Sequence, residues 1–198
     1  MRALSTALLF AALGLFSPDA RAQVAIGGAL PEGGRSVAVA GGASTSLQAE
    51  MGPKGLAVVF WSVTCPWAKR YEDRLLALAR EYGPAGVGFV ALNPNGASAR
   101  GEGADAMAAR AGEMSYPFPF AHDAGGAVAA AFGAQRTPHV YFFDAAGTLR
   151  YEGAIDDSAS DPAAVQAAYL RDAMDRSIAG LPIEVEKTNA FGCTVKAE

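Results

Sequence analysis

Cys65 is the residue whose type and placement in this chain most directly imply chemistry. It follows a continuous apolar run, residues 55–61 (GLAVVFW), and precedes Pro66, a residue suited to the first turn of a helix. A thiol at a strand-to-helix junction faces unpaired backbone N–H groups and the positive end of the helix dipole. Such a setting favours thiolate over thiol and lowers a pKa that is ordinarily about 8.5. Lys69, one helical turn later, can add positive charge. The competing reading is a small buried hydrophobe, which most free cysteines are. The position at the head of a helix favours the reactive thiol.

The second cysteine, Cys193, follows Gly192 near the C-terminus. Three readings stand open for it. It could resolve an oxidised Cys65, condensing with a sulfenic acid to form a disulfide. It could be an inert thiol. It could be half of a structural bridge, a long loop closure that contributes about 5 kcal/mol in the chain-entropy description. Either bridge requires the two Cα atoms to come within about 7 Å. His139, after Thr137-Pro138, either sits beside Cys65 and tunes it or points away as the first residue of a strand. Two thiols and an imidazole could also hold Cu(I). Asp156, Asp157 and Asp161 lack the ligand pattern of a calcium loop and read as a loop followed by a helix cap.

Composition narrows the field. With 198 residues the chain is one domain or at most two, and 51% hydrophobic against 18% charged residues is enough to build a packed core. The net charge of −4 comes without a basic run, which argues against nucleic acid or an anionic membrane as partner. Two cysteines and two histidines exclude a four-cysteine zinc site and leave little for a multi-histidine metal centre. No flavin or nicotinamide motif is present, so no cofactor is expected.

The first 22 residues read as an exported protein's address. Arg2 is followed by an apolar stretch over residues 3–16, too short to cross a bilayer comfortably, and Ala20-Arg21-Ala22 fits a small-x-small cleavage site. Cleavage after Ala22 would leave one periplasmic or secreted domain, residues 23–198, with its core over about 50–180 and a C-terminal tail carrying Cys193. An uncleaved anchor is the other reading. After cleavage no stable membrane association is expected.

Element signals then place the candidate residues. Gly41-Gly42 marks a turn between two short extended pieces in a Gly- and Ala-rich lead-in. After the strand at 55–61, apolar residues recur at helical spacing over 66–82, and Gly83-Pro84 stops the run. Strands are expected at 87–92, 140–144 and 149–155, the last two as a hairpin about residues 145–147. Helices are expected at 104–114, at 124–134 behind Asp123, and from Asp161-Pro162 to about 179. Residues 116–120 (YPFPF) read as a buried edge segment, and 93–103 as a polar loop at the rim of the site. The order predicts an α/β mixed sheet with helices on both faces and a right-handed parallel crossover.

The segment 60–69 (FWSVTCPWAK) resembles the active site of the thioredoxin fold, with an FW pair ending the strand and a cysteine opening the helix. Thr137-Pro138-His139-Val140 resembles the cis-proline loop of that fold. Together with YEDRL (71–75), ALNPN (91–95), TPHVYFFD (137–144), YEGAIDD (151–157), YLRDAM (169–174) and GCTVK (192–196), the chain resembles redoxins of the alkyl hydroperoxide reductase/thiol-specific antioxidant class, in their exported bacterial branch. The resemblance implies a single thioredoxin-like domain. It implies a thiol oxidoreductase, acting on a peroxide or a disulfide and recharged by a thiol reductant protein or small thiol. Cys65 would be the nucleophile, with Cys193 able to resolve it and Ser62, Lys69 and Arg136 tuning or positioning it. Trp61, Pro66, Trp67, Thr137, Pro138 and His139 would shape the substrate site, Thr137 offering its backbone to an extended substrate. Two positions depart from the pattern. Ala68 stands where reductases carry a second cysteine, and Val58 stands where peroxiredoxins carry proline. Ala68 leaves room for a different class of function, a thioredoxin-fold module that binds a partner or Cu(I) without turnover.

Overall fold

A computed structural model describes residues 23–196. The expected export segment lies outside the described residues. The chain forms β1 (Val37–Val39), β2 (Ser44–Thr45), β3 (Gly55–Phe60), α1 (Pro66–Tyr82), β4 (Val87–Asn93), α2 (Ala104–Glu113), β5 (Phe120–His122), α3 (Ala127–Phe132), β6 (Arg136–Thr137), β7 (His139–Phe143), β8 (Leu149–Gly153), α4 (Tyr169–Ile178) and β9 (Cys193–Thr194). Seven strands make one mixed sheet in the order β2-β1-β5-β4-β3-β7-β8, and β6 pairs with β9 apart from it. β3, β4 and β5 run parallel, while β7, β8, β1 and β2 join antiparallel.

β3 is buried at every position. Its alternate residues feed two cores: Ala57 and Val59 face one side, and Leu56, Val58 and Phe60 face the other. Period-two alternation in a strand covered on both faces needs apolar residues at both parities, which explains the unbroken apolar run. The first core takes Tyr71, Leu75 and Leu78 from α1, Met107 from α2 and Leu170 and Met174 from α4. The second takes Val128 and Phe132 from α3, with Val24, Ile26 and Leu30 of the lead-in packed against it. α1 carries a buried charge as well. Its Glu72 accepts from Arg110 of α2 and from the Tyr116 hydroxyl (2.5 Å), which joins two helices through a satisfied ion pair.

Three expectations require correction. The helix expected from Asp161 to about 179 is interrupted. Asp161 caps a single 3₁₀ turn, Pro162–Ala164, through the Ala163 amide (2.9 Å), and Val165 is then extended. The amides of Asp157, Gln166 and Leu170 are satisfied by Ala167 O, the Asp157 carboxylate and Ile155 O, so tertiary hydrogen bonds outcompete helix continuation until Tyr169. The YPFPF segment is not at an edge. Phe120 begins β5, which β4 and β1 flank on its two sides. Proline at 117 and 119 precedes the strand, where a missing donor costs no ladder bond. The helix expected at 124–134 is shorter: α3 begins at Ala127 with Gly126 as its N-cap, and Asp123 supports it by accepting from the amides of Val128 (3.0 Å) and Ala129 (2.7 Å) across two left-handed glycines, Gly125 and Gly126.

Candidate active site

The end of β3 and the start of α1 place Cys65 at the helix N-cap, in extended backbone (φ −72°, ψ 118°), 2% exposed. The Cys65 amide donates to Ser62 Oγ (3.1 Å), and its carbonyl accepts from the Lys69 amide (3.1 Å). The sulfur points across to the cis-proline segment. It lies 2.9 Å from the Thr137 carbonyl oxygen and 2.7 Å from Cys193 Sγ. The Thr137-Pro138 peptide bond is cis.

Cys193 reaches the site because the tail returns as a strand. β9 runs antiparallel to β6, with Thr137 opposite Cys193 and Arg136 opposite Thr194. The Val195 amide continues the pairing to Gln135 O (3.0 Å). Asn95, in the loop after β4, accepts from the Lys196 amide (2.8 Å), and the Gly96 amide donates to Lys196 O (3.0 Å). Gly192 permits this close approach, since a Cβ there would lie 2.1 Å from Thr137 O. Outside the pair, Phe191 packs edge-on against Trp67 with centroids 4.6 Å apart, and the Arg70 guanidinium lies over the other ring system of the pair, that of Trp67. The tail therefore occupies the backbone edge of Thr137 that the resemblance assigns to an extended substrate.

The two thiols are electrostatically unequal. Burial pushes the Cys65 thiol up, but hydrogen bonds from the Cys193 thiol, the Ala68 amide and the Cys193 amide outweigh it, and the pKa falls below the ordinary thiol value. Cys193 is pushed up to about 11 by burial and by its contact with the Cys65 sulfur. Of the two, Cys65 is the more acidic thiol and Cys193 the less.

One carboxylate that sequence reading overlooked organises the junction. Glu102, 2% exposed, lies at the end of the loop after β4. It accepts from Ser62 Oγ (2.6 Å), the Val63 amide (3.1 Å), the Thr64 amide (3.2 Å), the Thr64 hydroxyl and Asn93 Nδ2 (2.9 Å). Burial pushes Glu102 up, and the bonds from Ser62, Thr64 and Asn93 reverse this, holding its pKa below the usual carboxylate value. No motif spacing pointed to Glu102. The available signal was one acid in a loop expected at the mouth of the site.

The remaining sequence candidates divide clearly. Thr137, Pro138, Trp67 and Pro66 lie at or beside Cys65, and Trp61 is buried in the first core at the end of β3. Lys69 is exposed on α1. Arg136 is exposed and donates to Thr194 Oγ1 (2.9 Å), so it clasps the tail. His139 is not brought to Cys65. It pairs with Phe60 in the sheet, so its ring shares the face of the second core and lies against Tyr141 with centroids 4.5 Å apart. Burial, helped by the Lys187 ammonium, lowers its pKa to about 4 and keeps it neutral. Among the described residues no group of three or more His, Cys, Asp or Glu is arranged to hold a metal ion. No described helix is long and apolar enough to cross a membrane.

A mixed sheet, a cysteine opening the helix after its central strand and a cis-proline facing that cysteine define the thioredoxin fold. The chain belongs to the Redoxin family, whose profile matches residues 25–168. Cys193 lies beyond that match. A search of curated proteins finds no match. Among solved structures, a conserved protein of Geobacillus kaustophilus is similar at 30% identity (TM-score 0.80), covering 88% of this chain and 93% of its own. A hypothetical protein of Sinorhizobium meliloti is similar at 28% identity (TM-score 0.81), covering 89% and 97%. A secreted disulfide oxidoreductase of Mycobacterium tuberculosis shares the fold at 22% identity (TM-score 0.53), covering 74% and 95%.

Proposed function

We propose that the protein is a thiol oxidoreductase that exchanges disulfides through the Cys65–Cys193 pair. The observation that carries this reading is the 2.7 Å between the two sulfurs, one inclined to thiolate and the other to thiol. The Cys65 thiolate attacks one sulfur of a substrate disulfide. That S–S bond breaks, a mixed disulfide forms on Cys65, and the other substrate sulfur leaves as a thiolate that takes up a proton. Cys193 then gives up its proton and attacks the Cys65 sulfur, releasing the second substrate thiolate. The substrate is reduced by two electrons and the pair is oxidised to a disulfide. An external thiol protein or small thiol restores it.

Disulfide exchange is favoured over peroxide reduction by the directions of the polar groups. Ser62 and Arg136, to which the peroxidase resemblance gives the sulfur, are turned to Glu102 and to Thr194. The apolar stretch and cleavage pattern over residues 1–22 support export, and hence work outside the cytosol.

The test uses full-length variants and oxidised glutathione. Cys65→Ser abolishes exchange. Cys193→Ser retains the first step and accumulates glutathione on Cys65, visible as a mass adduct. Equal exchange by the Cys65→Ser variant would overturn the assignment.

A further inference from the structure

The contacts of the Glu102 carboxylate lead to the backbone of Cys65 on one side and to the tail that carries Cys193 on the other. A hydroxyl has one proton, and the Ser62 proton goes to Glu102 at 2.6 Å. Ser62 Oγ therefore meets Cys65 only as an acceptor, from its amide at 3.1 Å. The Thr64 hydroxyl proton is likewise spent on Glu102. On its other side Glu102 accepts from Asn93 Nδ2, Asn93 Oδ1 accepts from the Asn95 amide (3.1 Å), and Asn95 Oδ1 holds the Lys196 amide of the tail. Five donors converge on one buried anion, which fixes the direction of the Ser62 and Thr64 hydroxyls and of the Asn93 amide.

We propose that Glu102 is a positioning residue for Cys65: by taking the hydroxyl proton of Ser62 it withholds it from the sulfur and restrains the reaction of Cys65 with peroxides. The proposal rests on Cys65 being the attacking thiol. In the restrained reaction the thiolate attacks one peroxide oxygen, an S–O bond forms and the O–O bond breaks. Cys65 is oxidised by two electrons to sulfenic acid, and the departing hydroxide takes a proton to become water. A hydroxyl aimed at the departing oxygen would supply that proton and stabilise its charge. Ser62 Oγ, held 3.1 Å from the Cys65 amide, has its proton turned to Glu102 instead.

The experiment measures Cys65 in the full chain with two reagents, hydrogen peroxide and iodoacetamide, and reports the ratio of rate constants. The iodoacetamide rate corrects for thiolate fraction, which needs no donor. Glu102→Ala frees the Ser62 proton and raises the ratio about tenfold, a modest share of what one oriented donor contributes. The double variant Ser62→Ala/Glu102→Ala loses that gain, and added formate, filling the space of the missing carboxylate, reduces it in the single variant. An unchanged ratio in Glu102→Ala, or a gain that persists without Ser62, overturns the proposal. Should Glu102→Ala not fold, Ser62→Ala alone decides. Its ratio equals that of the unaltered protein if the hydroxyl is diverted, and a tenfold fall shows Ser62 already serving the sulfur. Neither reagent is a disulfide, so failure of the unaltered protein to exchange with oxidised glutathione would sink the proposed function and leave this comparison readable.

Discussion

Substituting Gly192 by alanine tests whether the docked tail is what makes the two thiols a redox pair. The added Cβ would lie 2.1 Å from the Thr137 carbonyl oxygen, 2.7 Å from its carbon and 3.1 Å from Pro138 Cδ. The obstacles are backbone and a proline ring, so the tail must retreat by about 1 Å or more to restore ordinary contact. Cys193 is the next residue and moves with it. The retreat breaks the narrow pairing of Thr137 with Cys193. Two neutral hydrogen bonds at about 1 kcal/mol each set the scale, about 2 kcal/mol. A Cys65–Cys193 disulfide needs the docked tail, whereas the dithiol form can release it, so the loss falls on the oxidised state. For a two-electron couple, about 2 kcal/mol raises the potential by about 40 mV, toward easier reduction. The assay is equilibration in glutathione buffers followed by alkylation and intact mass. A Gly192→Ala potential within about 10 mV of the unaltered protein would refute the reasoning.

The unequal thiols predict two titration steps in alkylation against pH. The first, from Cys65, falls below the ordinary thiol value, and the second, from Cys193, falls near 11. Reactivity therefore rises as pH increases through the lower step, earlier than for a free thiol; a single step at the ordinary value would contradict the inequality. Asp123→Ala removes the carboxylate that accepts from the Val128 and Ala129 amides and costs about 1–2 kcal/mol in urea unfolding, with the Cys65 alkylation midpoint unchanged. A cost below about 0.3 kcal/mol would show that the cap contributes nothing.

Much of this arrangement is legible in the residues. The unbroken run before Cys65 predicts a strand buried on both faces, and Pro66 with the spacing of Tyr71, Leu75, Leu78 and Tyr82 predicts α1 to its observed bounds. Local signals sufficed because cap, period and stop all lie within one segment. The return of the tail was beyond such signals. β9 is two residues long, and its register is fixed by Thr137, Asn95 and the bare Gly192 rather than by any pattern of its own. Glu102 was equally hidden, since its donors come from residues 62–64 and 93, which only folding brings together. His139 shows the reverse. Its neighbour Pro138 lies at the site, but period two in β7 sends the histidine ring to the opposite face of the sheet. The expected helix at 162–179 erred because the Asp161-Pro162 cap signal starts only a single turn, whereas hydrogen bonds to residues 155–157 decided what followed.

The central claim is that Cys65 and Cys193 interconvert between dithiol and disulfide within one chain. The most direct measurement is intact mass of the reduced protein after one equivalent of oxidised glutathione, with the remaining thiols alkylated. The account predicts a monomer lighter by two hydrogens that takes up no alkylating reagent, with reduced glutathione released. A product that keeps glutathione on Cys65 while Cys193 remains alkylatable, or one that keeps both thiols, would contradict it.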